Sequence, residues 1–181
     1  MGRRVTGHTL IVTSILISVL SLARLPASER RYGVQQVTPA EIERRITGMW
    51  ELIEWHFDGQ VLKPPVVNGR VLFRDGQVLS IFHRTKDGER YDWSGYGSYS
   101  LNQFSWTYGY SRTLEVTRKA KDSTVVEGTR EQIPFAYRFE GSKLILDDGK
   151  GDRKFVFESD EFTYFLQGQA LRKWRRLKPS A

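Results

Sequence analysis

Glu54 and His56 are the first residues in this chain whose types and spacing could do chemistry. They stand two apart in the β-type run Trp50–Phe57, so a regular strand puts both on one face with Trp50 and Leu52. A carboxylate and an imidazole aimed into an apolar interior could orient the polar group of a ligand, or act as general acid and base on an apolar substrate. A bulge in the strand, or a place at a wet mouth of the fold, would remove them from that role. His83 ends another strand and reads either as a second polar contact or as a surface histidine. Two histidines with Glu54 show none of the ligand spacing of a zinc site, so no metal is assigned. A haem pocket would need His56 or His83 inside a large apolar cavity, and no cofactor is assigned. Asp147, Asp148 and Asp152 surround Gly149 and Gly151 but lack the alternating ligands and closing glutamate of a calcium loop, which leaves a hairpin turn. There is no nucleophile-elbow pattern, no glycine-rich phosphate loop and no Ser-His-Asp arrangement, so no catalytic residue is assigned either.

The aromatic residues are more regular than the polar ones. Tyr91, Trp93, Tyr99 and Leu101 share one parity, with Gly95 and Gly97 on the same side. After a turn at Asn102-Gln103, Phe104, Trp106, Tyr108 and Tyr110 alternate with small or polar partners. Two strands that each carry one aromatic face predict a hairpin with that face turned inward. Gly95 and Gly97 predict the bend or bulge that a sheet needs when it curls shut. With Leu52, Glu54 and His56, the inward residues Tyr91, Trp93, Tyr99, Phe104, Trp106 and Tyr108 are the candidate pocket.

The elements that must position these residues are short strands between turn signals. Thr38 as N-cap, Pro39 at the first helical position and Glu41 three residues after the cap predict one short helix, with Ile42 and Ile46 on its buried face. It should stop by Gly48 and plug one end of the fold. Asp58-Gly59, Asp75-Gly76 and Lys86-Asp87-Gly88 mark turns, and Asp75-Gly76 is the strongest hairpin signal. Pro64-Pro65 predicts an irregular connection over residues 60–67. Further strand-like runs follow at 124–131, 135–139, 144–146, 155–157 and 162–166. The segment 170–177 suits a closing strand, although Leu171, Trp174 and Leu177 also match a helical spacing. About eight to ten antiparallel strands after one helix predict an all-β, up-and-down closed barrel, because closure removes the exposed sheet edges.

A chain of 181 residues with 39% hydrophobic residues suits one domain with its own core and reads as too polar for an integral membrane protein. Residues 1–27 read as a signal peptide: Arg3 and Arg4, then the uncharged run Leu10–Ala23, then a cleavage site after Ala23 or Ala27. An uncleaved N-terminal membrane anchor is the alternative. Residues 28–37 read as a tether, and 38–178 as the barrel domain. The protein is therefore expected in the periplasm or outside the cell. With no cysteine it can hold neither a disulfide nor a thiolate metal site. The net charge of +7 falls to +4 without residues 1–27, which carry Arg3, Arg4 and Arg24 and no acid. Much of the excess lies in Arg172, Lys173, Arg175, Arg176 and Lys178. Such a tract can touch an anionic membrane surface or form a solvated strand edge. An export signal argues against nucleic acid as a partner.

Gly48-Met49-Trp50, at the mouth of the first strand of a β-rich chain, resembles the signature of the lipocalin-like (calycin) proteins, particularly their bacterial lipocalin-like domains. The resemblance runs from residue 46 to about 177 and includes the basic closing segment. It implies that Trp50 seals one barrel end behind Gly48, and that Arg172, Arg175 or Arg176 lays its guanidinium over the indole. No second or third lipocalin motif accompanies it. The function implied is binding of a small hydrophobic or amphipathic molecule. A calycin-type enzyme acting on an apolar substrate is the alternative, and so is a filled barrel that docks a partner through its outer surface.

Overall fold

The computed structural model describes residues 38–178, so the signal-peptide and tether segments lie outside the described residues. Helix α1 (Pro39–Ile46) begins as its capping residues dictate. The Thr38 hydroxyl accepts the Glu41 backbone N–H at 3.3 Å, and the helix buries Ile42 and Ile46. Eleven strands follow: β1 (Gly48–Phe57), β2 (Gln60–Leu62), β3 (Val67–Arg74), β4 (Gln77–Lys86), β5 (Glu89–Leu101), β6 (Ser105–Lys119), β7 (Asp122–Glu140), β8 (Lys143–Asp147), β9 (Arg153–Phe157), β10 (Glu161–Leu166) and β11 (Gln169–Arg176).

From β3 to β11 each strand pairs antiparallel with the next, and β11 returns to pair with β1, which also pairs with β3. Ten strands thus close an up-and-down barrel, and β2 lies outside the ring as an extra strand on β1. The irregular connection expected over 60–67 is only partly irregular. Gln60–Leu62 ladders onto Trp55–Phe57, and the prolines fall just after it. The closing segment is a strand, because its inward row Arg172, Trp174 and Arg176 meets Trp55, Leu52 and Trp50 of β1. Among the described residues no helix is long and apolar enough to cross a membrane.

Two irregularities shape the interior. Between Leu52 and Glu54 the register of β1 against β11 slips by one residue, so Ile53 is a bulge. Between Tyr96 and Gly97 the register of β5 against β6 slips as well. There the strands cross so closely that a Cβ on Gly97 would lie 2.0 Å from the Gly109 carbonyl oxygen. Only glycine allows that approach, and the sheet curls at this point.

The ladder between β7 and β8 covers only Ala136–Glu140. Before Ala136, β7 pairs with β6 alone, and its residues 122–132 are exposed. The wall of the barrel is therefore continuous at the end capped by α1 and incomplete at the other.

Candidate functional site

The interior divides into a filled half and a hollow half. In the filled half Trp50, Phe73, Trp106, Phe135 and Phe157 are fully buried. The Trp106 ring stacks on Tyr108 at 4.8 Å and meets Phe155 edge-on at 5.5 Å. Trp50 meets Phe162 edge-on at 5.0 Å and Phe157 at 5.6 Å. Its indole N–H donates to the Ile46 carbonyl at 3.0 Å, which ties the barrel floor to the helix. Arg176 closes this end. Its guanidinium carbon stands 4.0 Å from the Trp50 ring centroid, and its nitrogens donate to the carbonyls of Thr47 and, at 2.6 Å, Arg45. Gly48 has φ +139°, and a Cβ there would lie 2.7 Å from Arg176 Nη1. The Gly-x-Trp spacing thus leaves room for the arginine that covers the tryptophan.

Above this floor lies a cavity of about 550 Å³. Val71, Phe82, Tyr91, Trp93, Tyr108, Tyr110, Phe155, Tyr164 and Trp174 supply its aromatic and apolar wall. Toward the incomplete wall its lining takes in Thr129, Arg130, Glu131 and Ile133 of β7, Arg153 of β9 and Leu166 of β10. Two buried polar groups of the wall are matched to each other, the Tyr110 hydroxyl donating to Ser80 Oγ at 3.0 Å. Burial pushes the Tyr91 hydroxyl up to about 12, helped by its hydrogen bond to Glu115 at 3.0 Å. Burial also raises Tyr108 well above the ordinary tyrosine value, with the neighbouring Tyr110 adding to it.

Three cations stand in this lining, Arg130, Arg153 and Arg172, and only Arg172 has a buried side-chain nitrogen without a partner. Arg172 of β11 lays its guanidinium 4.2 Å from the Phe82 centroid and 4.4 Å from the Trp55 centroid. Its Nε is buried with no hydrogen-bond partner. Burial lowers its pKa, and the groups that act on its charge are Tyr91, Tyr164, Tyr108 and Tyr110. Among the described residues no carboxylate pairs with it. Arg84 approaches the other neighbours of Trp55, 3.5 Å from the Phe57 ring and 5.3 Å from Trp55 itself, but it pairs with Glu89 at 2.9 Å.

The bulge at Ile53 corrects the expectation for Glu54 and His56. It inverts the parity of the strand, so Trp55 turns inward, and Glu54 and His56 turn to the outer wall. Glu54 lies 3.5 Å from Lys63 Nζ and 3.5 Å from His56 Nε2. His56 borders an outer groove with Gln60, Val61, Leu166 and Gln169. The physical reason is burial: an indole gains from leaving water, whereas a carboxylate without a partner inside would lose. Neither residue faces the cavity.

Of the other expected pocket residues, Tyr91, Trp93 and Tyr108 line the cavity. Leu52, Tyr99 and Trp106 are buried but belong to the packed interior, not the cavity wall. Phe104 is 74% exposed, because it falls in the turn, where its backbone N–H donates to Asn102 Oδ1 at 2.8 Å. Of the three arginines expected near Trp50, only Arg176 stacks on it. Arg175 points outward and shares Glu161 with Lys173, whose Nζ is 2.6 Å from that carboxylate. Arg172 belongs to the cavity. Tyr110, on the predicted inward face of β6, lines the cavity too, whereas Phe82, Tyr164 and Trp174 of its wall, and Trp55 packed inward on Phe82, are residues that sequence reasoning missed. For Trp55 a signal existed, since the bulky aromatic alternated against two polar neighbours. For Tyr164 and Trp174 the register of late strands decided the facing.

The aspartate–glycine segment between β8 and β9 is a turn, with Asp147 and Asp148 carboxylates accepting the N–H groups of Gly149 and Lys150 at 2.8 Å and 3.1 Å. Among the described residues no group of three or more potential ligands is placed to hold a metal ion. No family model, no curated protein and no solved structure matches the chain. The class that the geometry defines is a closed, antiparallel ten-stranded barrel, plugged at one end and hollow at the other.

Proposed function

We propose that the chain is an exported, lipocalin-like binding protein that takes a small hydrophobic or amphipathic molecule into the hollow half of its barrel. The observation that carries this reading is the cavity of about 550 Å³, which falls in the range of about 300–1,000 Å³ usual for small-molecule sites. Its wall is mostly aromatic, with a few polar groups at defined places, the composition such sites use to combine affinity with orientation. A barrel packed solid to both ends would favour docking through the outer surface, and the hollow half speaks for the interior. The apolar stretch Leu10–Ala23 supports export, and N-terminal sequencing of protein from its native host tests it: a chain that begins after Ala23 or Ala27 is expected, and an intact Met1 on cytoplasmic protein would overturn it.

The binding reading is tested with N-phenyl-1-naphthylamine, a neutral apolar fluorophore. Saturable binding of one probe per chain, with energy transfer from Trp93, is expected. Leu171 lines the cavity, so Leu171→Trp should fill the space and abolish binding. Unchanged binding by a folded Leu171→Trp variant would place the probe elsewhere and defeat the reading.

A further inference from the structure

Among the described residues that line the cavity, Arg172 alone carries a buried side-chain polar atom with no hydrogen-bond partner. A guanidinium taken out of water needs a counter-charge or hydrogen-bond acceptors, and its absence is expensive. The barrel supplies two aromatic faces, Trp55 and Phe82, and no acceptor to Nε. Cation–π contact offsets part of the lost hydration but leaves the in-plane N–H donors unused. The other charges near the cavity do not complete them. Glu115 is occupied by Arg130 at 2.7 Å and by the Tyr91 hydroxyl. Glu89 is occupied by Arg84 and by Lys119 at 2.8 Å. Glu131 also lines the cavity but makes no ion pair with Arg172, and Arg130 and Arg153 add two further cations to the lining. The polar residues of the cavity therefore carry excess positive charge around one orphan donor group, inside walls that are otherwise aromatic.

We infer that the ligand is an anionic amphiphile whose headgroup, a carboxylate or phosphate, bonds to the Arg172 guanidinium while its apolar part lies along Phe82, Trp93, Tyr108 and Phe155. This rests on the binding reading above and narrows its ligand class. Arginine suits the role because its planar fork presents paired donors to a two-oxygen anion and cannot be discharged at neutral pH. Contact with both Trp55 and Phe82 holds the fork in place before the ligand arrives, so little rotamer freedom is lost on binding.

The test compares ligands of one chain length on the mature protein, by displacement of the neutral naphthylamine probe at neutral pH: dodecanoate, dodecyl phosphate and dodecan-1-ol. One or both anions should bind about tenfold to a hundredfold more tightly than the alcohol, the range a charge-assisted hydrogen bond gives. Which anion is preferred identifies the headgroup. In Arg172→Met the anion advantage should vanish while the probe and the alcohol bind as before. Arg172→Lys should keep part of the advantage, because it retains charge without the fork. Equal binding of alcohol and anions by the parent protein would overturn the inference and leave the cavity reading standing, and that arm needs no variant. A probe that never binds would instead defeat the cavity reading itself. Equal loss of probe, alcohol and anion in a folded Arg172→Met would show a packing role and also overturn the inference.

Discussion

Two arginine–tryptophan pairs join β1 to β11, and the barrel treats them differently. Arg176 over Trp50 and Arg172 over Trp55 lie opposite each other in the same ladder, at similar stacking distances of 4.0 Å and 4.4 Å. Burial lowers the pKa of both guanidinium groups. Arg176, however, finds the carbonyls of Arg45 and Thr47 at the end of α1, and its tryptophan is packed on all sides. Arg172 finds only rings and an empty volume. The same pair of side chains is thus a structural clamp where backbone acceptors surround it and a binding group where they do not. Local partners, not residue type, decide which.

The contrast is sharpest in the tryptophans. Trp50→Ala should lower unfolding free energy by about 3–5 kcal/mol, the loss typical of a large aromatic removed from a packed interior. Trp55→Ala should lose less, because part of its ring's contact is with the guanidinium groups of Arg172 and Arg84 instead of other core rings. Urea denaturation of both variants measures the difference, and equal losses would erase the distinction between the two halves.

The arginines come next. Arg176→Met should lose about 3 kcal/mol, since it gives up charge-assisted hydrogen bonds and leaves buried carbonyls without donors. Arg172→Met should stay within about 1 kcal/mol of the parent or exceed it, because replacing an uncompensated buried charge by an apolar chain of similar length is commonly neutral or stabilising. A loss at Arg172 as large as that at Arg176 would mean both are clamps. Gly48→Ala tests the clamp from the other side. Its φ and the nearby Arg176 Nη1 should make it lose about 1–3 kcal/mol, and this loss should shrink when Arg176 is already Met.

The smallest effect tests how dry the hollow half is. Tyr91 and Tyr108 have folded-state pKa values raised above the ordinary tyrosine value of about 10, Tyr91 to about 12. A raised pKa contributes stability that is fully present below the unfolded value and disappears as pH rises through the folded one. Stability should therefore hold to about pH 10 and fall from there through 12. Tyrosinate absorbance should show a group of tyrosines that ionises only with unfolding. A set that titrates freely near the ordinary value would indicate a water-filled hollow half.

Much of the architecture was legible because it rests on local chemistry. The cap at Thr38 and Pro39, the turn at Asp75-Gly76 and the aromatic parity of β5 and β6 each act over a few residues, and each appears where those residues place it. Closure by the basic last strand was legible too, from Gly48, Trp50 and the arginines together. The pocket was legible only in part. Tyr91, Trp93 and Tyr108 reach the cavity by simple alternation, but alternation fails wherever a bulge intervenes.

Ile53 is that place on β1. The sequence by itself determined that Trp50, Leu52 and the aromatic ladders would be buried, since apolar burial at period two needs no knowledge of distant strands. The tertiary structure alone decided that Trp55 would replace Glu54 and His56 inside. A one-residue slip against β11 carries no local mark, and its energy depends on what the opposite strand offers. It also alone decided that Arg176 would meet the ends of a helix and Arg172 an open space. Acceptors for a guanidinium come from whatever the closed barrel brings across to it, from residues more than a hundred positions away.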